Sequence, residues 1–292
     1  MLFVSGANGN LGGSVIANLR TLVGPGEFAV GTRNPDSPFA RELASSGVEV
    51  RKADFDAPET LAGAFEGVHK ALIISTYSDN SVRLQQNLAA LEGAKAAGVG
   101  HIIYTSFLNA GPESLAEHSQ LVHYPTEQAI IASGLAYTIL RHALYAEILV
   151  NDLDHTLATG ALHRCSGDAA CAYIGRDDLG VSAATVLARD GHENRIYSET
   201  MAETKTGADV AKALSETFGR PIRYQPVSVE EWPAYMTSQW GVPANLAGSA
   251  MGTMRAVASG QFDTATNDYE AITGRPPRTL EQFLQDVKAA RG

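Results

Sequence analysis

Short runs of apolar, mostly β-branched residues recur along the first half of the chain. Each is followed by a stretch in which apolar positions return every three or four residues. The short runs are too continuous for strands with one wet face and read as strands of a parallel sheet covered on both sides. They predict strands at residues 2–5, 28–32, 48–52, 71–75, 101–105 and 137–141. Between the first two, Leu11, Val15, Ile16, Leu19 and Leu22 share one helical face and are followed by the breaker Gly24-Pro25-Gly26. Asp56-Ala57-Pro58-Glu59 predicts an N-cap region and a helix reaching about residue 66. Further helices are predicted over 81–97, closed by Gly98, and over 116–133, closed by Gly134, where Pro125 imposes a kink or a restart.

After Arg141 the alternation weakens. A helix is predicted at 181–189, a short strand at 195–199 and a helix at 207–218 closed by Gly219. Trp232, Tyr235, Trp240 and Met251 then form a stretch that either lines a pocket or fills the core of a small lobe. The fold class expected is α/β: a Rossmann-type, doubly wound parallel sheet with a smaller mixed C-terminal lobe. The division expected is a nucleotide domain over 1–145, with the segment 175–200 packing back on it, and a substrate-binding lobe over 146–292.

The first turn carries the chemistry. Gly6-Ala7-Asn8-Gly9-Asn10-Leu11-Gly12 sets Gly-x-x-Gly-x-x-Gly between a strand and an amphipathic helix. Gly6 permits the tight turn, Gly9 lets the backbone approach a diphosphate, and Gly12 lets helix and strand pack closely. An acidic residue at the end of the second strand would accept hydrogen bonds from an NAD ribose, but the sequence there is Gly31-Thr32-Arg33-Asn34. Arg33 is a fixed cation with a donor fork suited to a 2′-phosphate, so NADPH is expected over NADH. Asp54 and Phe55, after the third strand, are placed at the adenine.

Charge narrows the partners. With 22 basic against 32 acidic residues, and no cluster of Lys and Arg, the chain offers no footprint for nucleic acid or an acidic membrane. No segment has the length of a membrane span, the N-terminus does not read as a signal peptide, and the spacing of Cys165 and Cys171 fits neither a redox pair nor a zinc cluster. A cytoplasmic protein without a metal, monomeric or homodimeric, is expected.

The glycine loop and Arg33, taken with Tyr104-Thr105-Ser106, His123-x-x-Thr126-Glu127, Tyr137-Thr138-Ile139-Leu140-Arg141 and Ala143-Leu144-Tyr145, resemble the NmrA-like atypical short-chain dehydrogenases. Within that group the chain is most similar to the NADPH-dependent quinone reductases and the triphenylmethane-dye reductases. Gly191-His192-Glu193-Asn194 and Gln225-Pro226-Val227-Ser228 extend the likeness into the second half. The resemblance implies cofactor contacts from Gly6 to Gly12, from Arg33, Asp54, Phe55, Ser75, Thr76 and Tyr77, and from Thr105, Arg141, Ala143 and Leu144. It implies a tyrosine, Tyr145, beside the nicotinamide. Two departures stand out: Asn8 replaces a threonine, and His142 stands where relatives often have Asn.

Classical short-chain dehydrogenases lower a tyrosine pKa with a lysine four residues on, but Tyr124 here is followed at that spacing by Gln128. Ordinary ketone chemistry and sugar epimerisation are therefore disfavoured. Hydride transfer to a quinone, a quinone methide or a cationic dye needs mainly positioning, because the acceptor is already electrophilic. Ser106, His123, His142 and Tyr145 are the candidates for a polar role beside such an acceptor. The group resembled also implies two other readings: a non-catalytic NADP(H)-sensing regulator, and a biosynthetic reductase of a specialised carbonyl, imine or enone.

Overall fold

In the computed structural model, which describes residues 1–243 and 251–292, the strands in chain order are β1 (Leu2–Val4), β2 (Phe28–Thr32), β3 (Glu49–Lys52), β4 (Lys70–Ile73), β5 (His101–Phe107), β6 (Ala136–His142), β7 (Leu144–Tyr145), β8 (Ala161–Arg164), β9 (Tyr173–Ile174), β10 (Arg195–Glu199) and β11 (Arg223–Pro226). Seven of them form one sheet in the order β10-β6-β5-β4-β1-β2-β3, and every neighbouring pair is parallel. The order reverses at β1, which has β2 on one side and β4 on the other, and this switch point opens a crevice at the strand C-termini.

Burial follows from the two-sided covering. Every residue of β1, β2 and β4 is buried. One core face joins the sheet to α1 (Asn10–Leu19) and α7 (Arg176–Ala188) through Val15, Ile16, Leu19, Leu179, Ala183 and Val186. The other joins it to α3 (Leu61–Ala64) and α4 (Asn80–Ala96) through Leu61, Phe65, Ala90, Leu91 and Ala94. The sheet thus extends beyond residue 145: β10 is its outer strand, and α7 lies on α1.

Two predicted helices differ from the structure. The helix expected from Asp56 is a 3-10 turn, Pro58–Thr60, followed by the single turn α3. Asp56 does not cap it; its carboxylate accepts from Gln86 Nε2 at 2.7 Å, and the Thr60 hydroxyl donates to the Ala57 carbonyl instead. The helix expected over 116–133 contains a π turn, Ser119–His123, before α5 (Tyr124–Ala132). Pro125 has no N–H to give the preceding turn and its ring crowds the carbonyl there, and a widened turn relieves both. The helix α2 (Pro38–Ser45) was not anticipated, although Ser37 caps it and Pro38 opens it.

The rest of the chain is smaller pieces around β8 and β11, which pair with each other, and α8 (Gly207–Phe218). Trp232 stacks on Tyr235 with ring centres 5.4 Å apart and meets Trp240 edge-on, and the three form a local core with Cys165 and Met236. No helix among the described residues is long and apolar enough to cross a membrane.

Candidate active site

The C-terminal ends of the parallel strands bring the predicted residues to one edge. Two adjoining hollows of about 450 and 460 Å³ lie there and share Gly6, Gly9, Ile74, Ser75, Thr76 and Tyr77. The first runs from the glycine turn to Arg33, Asp54 and Phe55. The second runs from the start of α1 to Thr105, Ser106, His123, Leu144 and Tyr145. Together they form a bent groove with a nucleotide half and an acceptor half.

The nucleotide half fits a dinucleotide in its details. Gly6 takes φ +63°, and a Cβ on Gly12 would stand 2.2 Å from the Gly6 carbonyl oxygen, so the loop closes only with glycine at both places. Gly9, the residue before α1, provides no side-chain cap, and the first N–H groups of that helix are left for an anion. Asn8 Nδ2 donates to Ser37 Oγ at 3.2 Å, tying the loop to the cap of α2. Arg33 is exposed at the far end and has no carboxylate within ion-pair distance among the described residues. A cradle that excludes a Cβ, an uncapped helix end and an uncompensated guanidinium at the end of β2 are features that suit a phosphorylated dinucleotide.

The acceptor half is organised by a chain of buried polar groups. Arg83 of α4 donates from Nε to Ser75 Oγ at 3.0 Å, and its Nη2 lies 2.9 Å from His123 Nε2. No carboxylate is within ion-pair distance of Arg83 among the described residues, and burial pulls its pKa below the usual arginine value. The Tyr104 hydroxyl lies 3.0 Å from His123 Nδ1 and accepts from Asn87 Nδ2 at 3.0 Å. Burial holds the His123 pKa well below its ordinary value, and the Arg83 charge adds to this, so the imidazole is neutral. The π turn aligns His118 with His123, ring centres 5.8 Å apart, and Phe107 packs on His118 at 4.5 Å. These rings give the groove an apolar wall.

On the opposite wall, β7 pairs with β9 and sets Tyr145 beside Arg176, the first residue of α7. The guanidinium carbon of Arg176 lies 5.4 Å from the centre of the Tyr145 ring. Burial raises the Tyr145 hydroxyl to about 12.

Some expected residues stand elsewhere. Arg141 turns its guanidinium onto Glu127, with Nε 2.9 Å from Oε1, and does not line the groove. The physical reason is that Glu127 is fully buried and requires a counter-charge. Ser106 lines the groove, but its hydroxyl donates to the same Glu127. The Thr105 hydroxyl accepts from the Ser75 N–H at 2.9 Å and so fixes the loop after β4. His142 and Ala143 are buried behind Tyr145 and do not line the groove. Trp232, Tyr235 and Trp240 lie outside its lining too. Arg83, His118, Phe107 and Arg176 were missed by sequence reasoning; in a helix pattern Arg83 looks like any solvated arginine, and only the pairing of strands brings it to the site.

The same architecture occurs in known proteins. Quinone oxidoreductase 2 of Escherichia coli is 33% identical over 290 residues, covering 98% of this chain and 98% of that one. The NAD(P)H azoreductase of Xenophilus azovorans is 30% identical, over 100% of this chain and 99% of its own. The crystal structure of the Citrobacter sp. triphenylmethane reductase complexed with NADP(H) superposes with a TM-score of 0.90 at 34% identity, covering 98% of this chain and 99% of that one. The model of the NmrA-like family matches residues 1–284, and with the parallel sheet and glycine cradle described above, the chain belongs to the NmrA-like family.

Proposed function

We propose that this chain is an NADPH-dependent reductase that passes a hydride directly to quinone-like or dye-like electrophiles. The observation that carries the reading is the continuity of the groove. Its nucleotide half ends at Arg33, and its acceptor half is walled by aromatic rings and two guanidinium groups, with no lysine at the Tyr-x-x-x-Lys spacing. The relatives named as quinone, azo and triphenylmethane reductases support the same class.

NADPH, when bound, supplies the hydride. The residues of the chain do the rest. The N–H groups at the start of α1 hold the diphosphate, Arg33 the 2′-phosphate, and Asp54 and Phe55 border the adenine. Tyr145, His123 and Phe107 line the same hollow of about 460 Å³, where a flat acceptor would be received. For a neutral quinone, Arg83 and Arg176 would set positive charge beside the oxygen where negative charge develops as the hydride arrives, a preorganised stabilisation that favours the transition state. Substrates of delocalised, electrophilic character need little more.

The test is NADPH oxidation followed with quinones, a cationic triphenylmethane dye and simple ketones. Turnover with quinones or the dye and none with ketones is expected. Tight NADPH binding with no oxidation by any acceptor would instead mark a sensor.

A further inference from the structure

Behind Tyr145 lies a pair of ionisable groups to which the mechanism above gives no role. His142 ends β6 and Glu199 ends β10, and the two are register partners in the sheet. Their side chains are 1% and 0% exposed. His142 Nε2 lies 3.3 Å from Glu199 Oε2, and His142 Nδ1 lies 3.4 Å from the Tyr145 hydroxyl. Neither oxygen of Glu199, nor His142 Nε2, has a hydrogen-bond partner among the described residues, so the two side chains approach at ion-pair distance without a formed hydrogen bond.

A bare carboxylate in such a place is strongly disfavoured, and so is a bare imidazolium. One proton shared by the two would leave the pair neutral overall, as imidazolium and carboxylate. The pair lies one residue away from the groove, and among the described residues the hydroxyl within hydrogen-bond distance of His142 Nδ1 is that of Tyr145.

We propose that His142, its charge balanced by Glu199, relays a proton to the Tyr145 hydroxyl, making Tyr145 the proton donor to acceptors whose reduction consumes a proton. The proposal rests on the reductase reading above. A quinone that takes a hydride becomes a hydroquinone monoanion. The Tyr145 O–H bond breaks and its proton goes to that oxyanion; the His142 Nδ1–H bond breaks and its proton goes to the phenolate. His142 keeps its Nε2–H toward Glu199, and a solvent proton restores the pair. The sum is one NADPH, one proton and one quinone giving NADP⁺ and hydroquinone. A phenol raised to about 12 by burial is a reluctant donor alone, and the relay refills it as it gives. His142 and Glu199 act through Tyr145 and are positioning residues.

Other charged groups bear on the trio from every side. Arg176 lies over the Tyr145 ring and pairs with Glu147 at 3.7 Å, Arg83 and His123 stand across the groove, and Tyr269 is close enough to feel the Glu199 charge. None of these contacts His142 by a hydrogen bond.

The two acceptor types separate the proton from the hydride. A cationic triphenylmethane dye becomes its neutral leuco form on taking a hydride alone, whereas a quinone needs the proton too. Glu199→Gln, His142→Asn and Tyr145→Phe are compared with the unsubstituted protein on both acceptors, with NADPH binding measured by fluorescence. Each substitution is expected to lower kcat for the quinone about 100-fold, and Glu199→Gln and His142→Asn, which lie outside the groove lining, are expected to leave dye turnover and NADPH binding within about threefold. Equal losses on both acceptors, or no loss on the quinone, would overturn the relay. Tyr145→Phe and Glu199→Gln keep shape and decide the matter if His142→Asn does not fold. Should the dye prove a poor acceptor, the pH profile for the quinone decides: level across neutral pH in the unsubstituted protein, falling as pH rises in Glu199→Gln, with an unchanged profile overturning the proposal. If the unsubstituted protein oxidises NADPH with neither acceptor, the reductase reading itself fails, which is a different outcome from a relay that does not operate.

Discussion

Arg83 Nη2 lies 2.9 Å from His123 Nε2. A guanidinium has only donors, so His123 accepts at Nε2, carries its proton on Nδ1 and donates it to the Tyr104 hydroxyl at 3.0 Å. His123 is thereby a neutral strut that aims Arg83 into the groove, and the charge beside the acceptor is that of Arg83.

Replacing that charge is expected to cost turnover and not cofactor affinity. Arg83→Gln should lower kcat/KM for neutral acceptors roughly 10- to 100-fold, as removal of a preorganised donor does, with Arg83→Lys intermediate. Steady-state kinetics and an NADPH titration check it. A parallel loss of NADPH binding would place Arg83 on the cofactor phosphates instead.

Arg33 decides between the two nicotinamide cofactors. Hydrogen bonds to a charged phosphate contribute about 1.5–3 kcal/mol, so Arg33→Asp should weaken NADPH binding on the order of 10- to 100-fold and leave NADH binding nearly unchanged. Titration of both cofactors checks it, and an unaltered preference for NADPH would contradict the assignment.

Stability should depend on pH through buried neutral histidines. Burial depresses His101 to about 4 and His118 to about 4, with the Lys70 charge contributing to the first and the Arg83 charge to the second. Both states are neutral above the unfolded value near 6.5. Below it the unfolded chain gains protons that the fold refuses, so stability is full above about pH 6.5 and is lost as pH falls toward 4. The loss is on the order of 2–3 kcal/mol for each group at the lower end. Thermal unfolding at pH 7 and at pH 5 should show a falling Tm, and His118→Gln should flatten the fall. A Tm that does not change between the two would contradict the burial argument.

The central strands of the sheet were legible because they are covered on both faces and so read as continuous apolar runs; 28–32 was placed at its observed limits, as was 195–199, an edge strand of which only Glu199 is buried. The glycine turn was legible for a related reason: the positive φ at Gly6 and the missing Cβ at Gly12 are local demands that sequence spacing records. What sequence did not show depends on contacts between distant residues. Glu199 ends a predicted strand, but its meeting with His142 follows from β10 pairing with β6, an adjacency no local pattern encodes. Arg141 sits at a strand end where a cofactor contact is natural, yet the buried Glu127 holds it, a pairing between helix and strand that local sequence does not record. Asp56-Ala57-Pro58-Glu59 had the composition of a helix start, but the Asp56 side chain is engaged by Gln86 from another helix.

The central claim is direct hydride transfer across this groove, and the most direct test is a single turnover with NADPH carrying deuterium at nicotinamide C4 and a cationic triphenylmethane dye as acceptor. Transfer across the groove predicts one NADPH consumed per leuco product, with deuterium on its central carbon when the transferred C4 hydrogen is the labelled one and the opposite C4 label retained on the cofactor. NADPH consumed with neither C4 label appearing in the product, or no consumption with this dye or any quinone, would contradict it.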